Sequence, residues 1–165
     1  IDKGKELDIS HCGMLSMDIM RMEKGYLHWG HDMSPEENQY EAGLSFAISF
    51  KKNINFIGKK AIDKIKNKEI EKKMVMLTLK DSQPGSPLLL HDEPIYCEGK
   101  IVGRTTSGNY SFNYKQNMSL GYINLLSPIK ELAKKVFFIE VEKKQHEAIL
   151  QTQALHDPEN KIIKS

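Results

Sequence analysis

The residues best suited to chemistry in this 165-residue chain crowd into Arg21-Met22-Glu23-Lys24-Gly25-Tyr26-Leu27-His28-Trp29-Gly30-His31-Asp32. Cations, carboxylates, two histidines and the only tryptophan fall together there. Metal chemistry would draw on His28, His31 and Asp32, but H-x-x-H-D on a loop lacks a second ligand cluster, and the remaining histidines are scattered. Nucleophilic catalysis needs a Ser or Cys beside a base and an orienting group, and no such signature is present. Thr105-Thr106-Ser107-Gly108 lacks the spacing and the following helix of a phosphate loop. No G-x-G-x-x-G nucleotide fingerprint occurs either. Neither a catalytic nor a metal-ligating set can be assigned.

The elements that must position this stretch read as follows. Leu15, Ile19, Met22 and Tyr26 share one face of a helix capped at Ser10, with Asp18 and Arg21 paired on its flank. Gly25 weakens the helix end and Gly30 stops it. Ser34-Pro35 with the following acids predicts a short capped turn. Leu44 to Phe50 alternates apolar and small polar residues, which predicts a strand. A lysine-rich surface helix is expected from Lys59 to Lys68, with Ile62 and Ile65 inward. The charged connector from Glu69 to Lys73 is the expected domain boundary. From Met74 onward, short apolar runs with turn signals every eight to twelve residues predict an all-β domain. Its strands are expected at 74–80, 93–96, 100–104, 118–123, 136–141 and 147–151, with a tight turn at Glu98-Gly99.

Composition bounds the rest. Hydrophobic residues at 39% and charged residues at 28% are ordinary for a soluble globular protein. The net charge of +2, with lysine pairs interleaved among acids, gives no case for nucleic acid as a partner. Cys12 and Cys97 make no disulfide framework. No apolar run approaches the roughly 18 residues of a membrane span. A reducing compartment is expected: the cytoplasm, or the mitochondrial matrix in a eukaryote. The chain opens on Ile1 without methionine, which reads as a fragment or processed product.

The opening stretch resembles the glycine cleavage T protein (aminomethyltransferase) superfamily. It is most similar to the folate-binding C-terminal region of dimethylglycine and sarcosine dehydrogenases. The carriers are R-M-E-K-G-Y-x-x-W-G-x-D from Arg21, Glu41-Ala42-Gly43-Leu44, Phe56-Ile57-Gly58-Lys59-Lys60-Ala61, Gly99 to Gly108, and Leu120-Gly121-Tyr122-Ile123. The order holds over nearly the whole chain. The resemblance implies an α+β chain: residues 1–73 as the tail of the folate-binding domain, then 74–165 as a small antiparallel β-barrel or jelly-roll.

It also implies a function. In this family tetrahydrofolate accepts a one-carbon unit from an amine, and in the dehydrogenase branch FAD first oxidises an N-methyl group. The preferred parent is therefore a dimethylglycine or sarcosine dehydrogenase-type enzyme. The alternatives are a stand-alone T protein or a non-catalytic folate-binding module. Partners would be folate, a small N-methyl amine and the N-terminal half of the same enzyme, with no membrane. FAD would belong to a separate upstream domain. A flat amphipathic pteridine needs aromatic or aliphatic walls, and its glutamate tail needs cations. Phe46 falls where T proteins commonly carry a tryptophan, and Trp29 and Tyr110 are further aromatic candidates. Arg21 and Lys161 are candidate partners for carboxylates, and Arg21 has a competing reading as a structural ion pair with Asp18, Glu23 or Glu41. Two departures from T proteins stand out: Met17 replaces an arginine and Lys161 replaces a tyrosine. The family's catalytic aspartate lies in its N-terminal half, so this chain alone is expected to be inactive.

Overall fold

The computed structural model describes residues 1–52, 54–66, 68 and 70–165. The short runs separated by turn signals after residue 72 become six strands: β1 (Lys73–Leu79), β2 (Pro94–Cys97), β3 (Lys100–Ser111, running on past the expected 104), β4 (Gln116–Ile123), β5 (Phe137–Val141) and β6 (Lys144–Gln151). Every ladder between them is antiparallel, and they close in the order β1-β4-β3-β2-β5-β6. Closure leaves no unpaired edge in the barrel. Inward-facing Val75, Leu77, Leu79, Ile95, Phe137 and Ile139 form its interior. Each large side chain among them contributes about 1.5–3 kcal/mol by leaving water.

Two features set the barrel's detail. The turn at Glu98-Gly99 forms as expected, with φ of 52° and 74°, the doubly left-handed geometry that matches strand twist. Gly103 admits the β3–β4 approach, since a Cβ there would lie 1.9 Å from the Tyr122 carbonyl oxygen. The ladder shifts register between Thr105 and Ser107. This bulge re-aims the side chains that follow.

Helix α1 (Met14–Glu23) lies against β3 and β4 on the barrel's outer surface. Fully buried Met22 joins Met76, Met118 and Leu120 in a second apolar cluster. Gly25 ends the helix in the left-handed region at φ 73°. The Gly25 N–H donates to the Met22 carbonyl at 2.9 Å and the Tyr26 N–H to the Arg21 carbonyl at 2.8 Å. Together these satisfy carbonyls that would otherwise be orphaned. The helix starts from Gly13 rather than Ser10. Leu15 and Tyr26 are exposed and Ile19 is half-buried, so only Ile19 and Met22, the middle of the expected apolar face, pack against the barrel.

The expected strand over Leu44–Phe50 does not form. A 3-10 turn covers Ser45–Ala47, entered from a left-handed Gly43 and a Leu44 N–H bond to the Gln39 carbonyl at 2.8 Å. Alternation specifies a strand only where a neighbouring ladder accepts it, and no strand among the described residues pairs with this segment. Helix α2 (Lys59–Ile65) stops before the expected Lys68, with Ile62 and Ile65 only half-buried. Part of the expected Glu69–Lys73 connector lies outside the described residues. A last short helix, α3 (Ile129–Leu132), anchors through buried Leu132. No described helix is long and apolar enough to cross a membrane.

Candidate functional site

Asp32 is the polar hub of the chain. Its side chain is wholly buried and pairs with Arg21, whose side chain is 15% exposed. One Asp32 oxygen accepts the hydroxyls of Thr106 at 2.6 Å and Ser107 at 2.8 Å, and the other accepts the His28 N–H at 2.8 Å. Arg21 in turn donates to Asp18 at 2.8 Å, to Ser107 at 2.7 Å and to the Tyr26 carbonyl at 3.3 Å. Glycine-terminated α1 presents Arg21, the turn after it carries Asp32, and the β3 bulge supplies the hydroxyls. The guanidinium is thus committed internally, a structural pairing that the sequence reading expected with Asp18 and missed with Asp32. The expected partners Glu23 and Glu41 are engaged elsewhere. Glu23 accepts from Ser111 at 2.6 Å and Asn113 at 2.9 Å, and Glu41 caps the Asn38 N–H at 3.1 Å.

A second polar link ties the C-terminal segment to α1. Lys24 Nζ bonds the Asp157 carboxylate at 3.0 Å, and the Lys161 and Ile162 N–H groups donate to the same carboxylate at 2.6 and 3.2 Å. Burial pushes the Asp157 carboxyl up, but Lys24 and these amides outweigh it and hold it down at about 2. Lys161 itself points outward and pairs with Glu159 at 2.5 Å.

Phe46 is 83% exposed. It borders a cavity of about 730 Å³ together with Tyr26, Leu44, Met74, Lys24 and Asp157. An aromatic ring left in water beside an apolar-walled hollow is costly unless something covers it. The donor set, an aromatic and aliphatic wall with an ion pair at its side, fits one face of a flat amphipathic ring. Trp29 is 62% exposed, in the turn closed by a bridge to Met33, next to the His28 and His31 rings, which lie 4.6 Å apart and tilted by 34°. Tyr110 is half-buried on β3, edge-on to Phe112 at 5.1 Å. The tertiary structure therefore brings Phe46 to the cavity and leaves Trp29, Tyr110 and Lys161 off its lining. No group of three or more His, Cys, Asp or Glu is placed to hold a metal among the described residues.

Two family models match the chain. A model described as the glycine cleavage T-protein C-terminal barrel domain matches residues 72–157, and one described as the GCVT N-terminal domain matches residues 1–52. The chain belongs to the glycine cleavage T-protein family. Among its relatives, mitochondrial dimethylglycine dehydrogenase of Homo sapiens is 35% identical over 74% of this chain and 14% of its own length. The 4-methylaminobutanoate oxidase (formaldehyde-forming) of Paenarthrobacter nicotinovorans is 31% identical over 99% of this chain and 19% of its own. This T-protein family chain thus spans less than a fifth of those two relatives. The crystal structure of the aminomethyltransferase T of Bartonella henselae superposes with a TM-score of 0.72 at 21% identity, covering 86% of this chain and 38% of that one. That likeness carries the fold.

Asp32 and Asp157 are the polar residues that sequence reasoning passed over as site organisers. Asp32 had a signal, since it closes the Trp29-Gly30-His31-Asp32 motif. Asp157 had none, because its role depends on meeting a lysine 133 positions away.

Proposed function

We propose that this chain is the C-terminal, tetrahydrofolate-binding portion of a dimethylglycine or sarcosine dehydrogenase-type enzyme. In such an enzyme an N-methyl amine is oxidatively demethylated and its one-carbon unit passes to tetrahydrofolate. Residues 1–73 would be the tail of the folate-binding domain and 74–165 its barrel. What supports this reading is the exposed Phe46 ring at an apolar-walled cavity, in a chain whose relatives include dimethylglycine dehydrogenase. When bound, folate supplies the acceptor nitrogens for the one-carbon unit. The chain's own residues bind and orient: Phe46 stacks against the ring, and Trp29 and Tyr110 offer further aromatic surface where the rest of the enzyme closes over them. Lys161, 79% exposed, meets a carboxylate of the glutamate tail. Arg21 acts as a positioning residue, fixing the turn that carries Trp29 through Asp32. FAD would act in a separate upstream domain. The six-stranded barrel is antiparallel throughout and offers no parallel βαβ cradle for a dinucleotide.

Calorimetric titration of the full-length protein with folinic acid tests the reading. Saturable binding that weakens by about 1–3 kcal/mol in Phe46→Ala is expected from lost stacking and apolar contact. Unchanged affinity in that variant would remove Phe46 from the site.

A further inference from the structure

We infer that Tyr114 is a positioning residue for the cavity beside Phe46, acting through the C-terminal segment that forms one of its walls. The inference deepens the folate reading and rests on it for the ligand, while the fixing of the segment rests on geometry alone. Ala154, Asp157, Pro158 and Asn160 line that cavity. Among the described residues no helix or strand follows β6, so no ladder holds this stretch. Its place depends on single bonds and on the packing of Ala154 and Leu155 against the Met22 cluster. The Tyr114 hydroxyl donates to the Leu155 carbonyl at 2.9 Å, across 41 positions of sequence. Leu155 lies between the lining residues Ala154 and Asp157, so this bond acts on the middle of the wall. One residue on, the His156 N–H donates to the Glu23 carbonyl at 2.9 Å.

What aims the phenol is a buried carboxylate. Glu23 is 3% exposed, and its side chain is met by two neutral donors, the Ser111 hydroxyl at 2.6 Å and the Asn113 amide at 2.9 Å. A carboxylate buried on neutral donors is costly. Here it orders a turn 88 positions away. An ionised carboxylate only accepts, so the single proton of Ser111 is committed to Glu23 and the hydroxyl's lone pairs are left for another donor. That donor is the Tyr114 N–H, at 3.0 Å. The turn runs from Phe112 to Lys115, which closes it in the left-handed region at φ 52°. Glu23 and Ser111 thus set the backbone of the turn between β3 and β4, and the turn carries the Tyr114 ring to the C-terminal segment. Tyr114 does not itself line the cavity, so it acts on a ligand there only through that segment.

Hydrogen exchange of the full-length protein, read by mass spectrometry, tests the fixing, and calorimetry with folinic acid tests its effect on the site. Tyr114→Phe keeps the ring and removes only the hydroxyl. In that variant exchange over 152–160 should quicken about fivefold, the loss of one hydrogen bond. Exchange in β1 and β4 and the urea midpoint should stay as in the wild type, which a general loosening of the fold would not allow. Folinic acid should bind about threefold more weakly, because the wall is in place for a smaller fraction of the time. The inference is overturned if the segment exchanges as in the wild type, if β1 and β4 quicken alongside it, or if affinity holds while the segment loosens. Should the wild-type protein take up no folinic acid, the folate reading fails, and exchange over 152–160 alone upholds or overturns the fixing by Tyr114.

Discussion

Arg21 and Asp32, eleven residues apart, form an ion pair across the end of α1 in which the carboxylate has no exposed surface and the guanidinium is 15% exposed. The pair fastens three things at once: the helix end, the Trp29 turn and the β3 bulge. Removing one partner leaves an uncompensated buried charge, at a cost of about 3–5 kcal/mol. Asp32→Asn and Arg21→Ala should therefore both lower the urea midpoint of unfolding sharply. Folinic acid affinity of the folded fraction should change less. An Arg21→Ala protein with native stability and abolished binding would instead make the guanidinium a ligand contact.

Gly103→Ala should fail to give a closed barrel. A methyl group there meets the Tyr122 carbonyl oxygen at 1.9 Å and the Ile123 Cα at 2.9 Å, both backbone atoms that cannot swing aside. Soluble yield and near-UV circular dichroism report the outcome. A well-folded variant of normal yield would show that β3 and β4 separate more easily than this register allows.

The indole of Trp29, 62% exposed, should emit like a hydrated tryptophan and be quenched readily by acrylamide in the isolated chain. Folinic acid should reduce that quenching if the indole lies where ligand or a closing segment covers it. Quenching that folinic acid leaves untouched would take Trp29 out of the proposed site.

Asp157 makes the attachment of the C-terminal segment acid-sensitive. Its carboxyl titrates near 2 when folded against an ordinary 3.8, so the charged form is favoured by the native state. The stabilisation is complete above the ordinary value and disappears as pH falls from there through about 2. Amide exchange at Lys161 and Ile162 should accelerate across that window after correction for intrinsic rates. In Asp157→Asn the two amides should be fast throughout, and a wild-type profile flat across the window would contradict the assignment.

Much of this chain was legible before any coordinates. The barrel strands follow from short runs punctuated by turn signals, except the second half of β3 from Thr105 to Ser111, which is too polar to read as a strand; the hairpin follows from Glu98-Gly99, and the end of α1 from Gly25. Each depends on a few neighbouring residues whose backbone preferences are local. The family, too, lay open in the motif from Arg21 to Asp32. Leu44 to Phe50 carries an equally regular alternation and yet forms no strand, because pairing needs a partner ladder that periodicity cannot supply. Likewise, nothing near Asp32 in sequence announces that Ser107, 75 positions on, completes its shell. Nor does composition reveal that the buried Tyr122 hydroxyl meets no hydrogen-bond partner among the described residues. Local spacing fixes where a side chain points along its own element. Only the closing of the barrel and the docking of α1 decide which distant donors and acceptors meet.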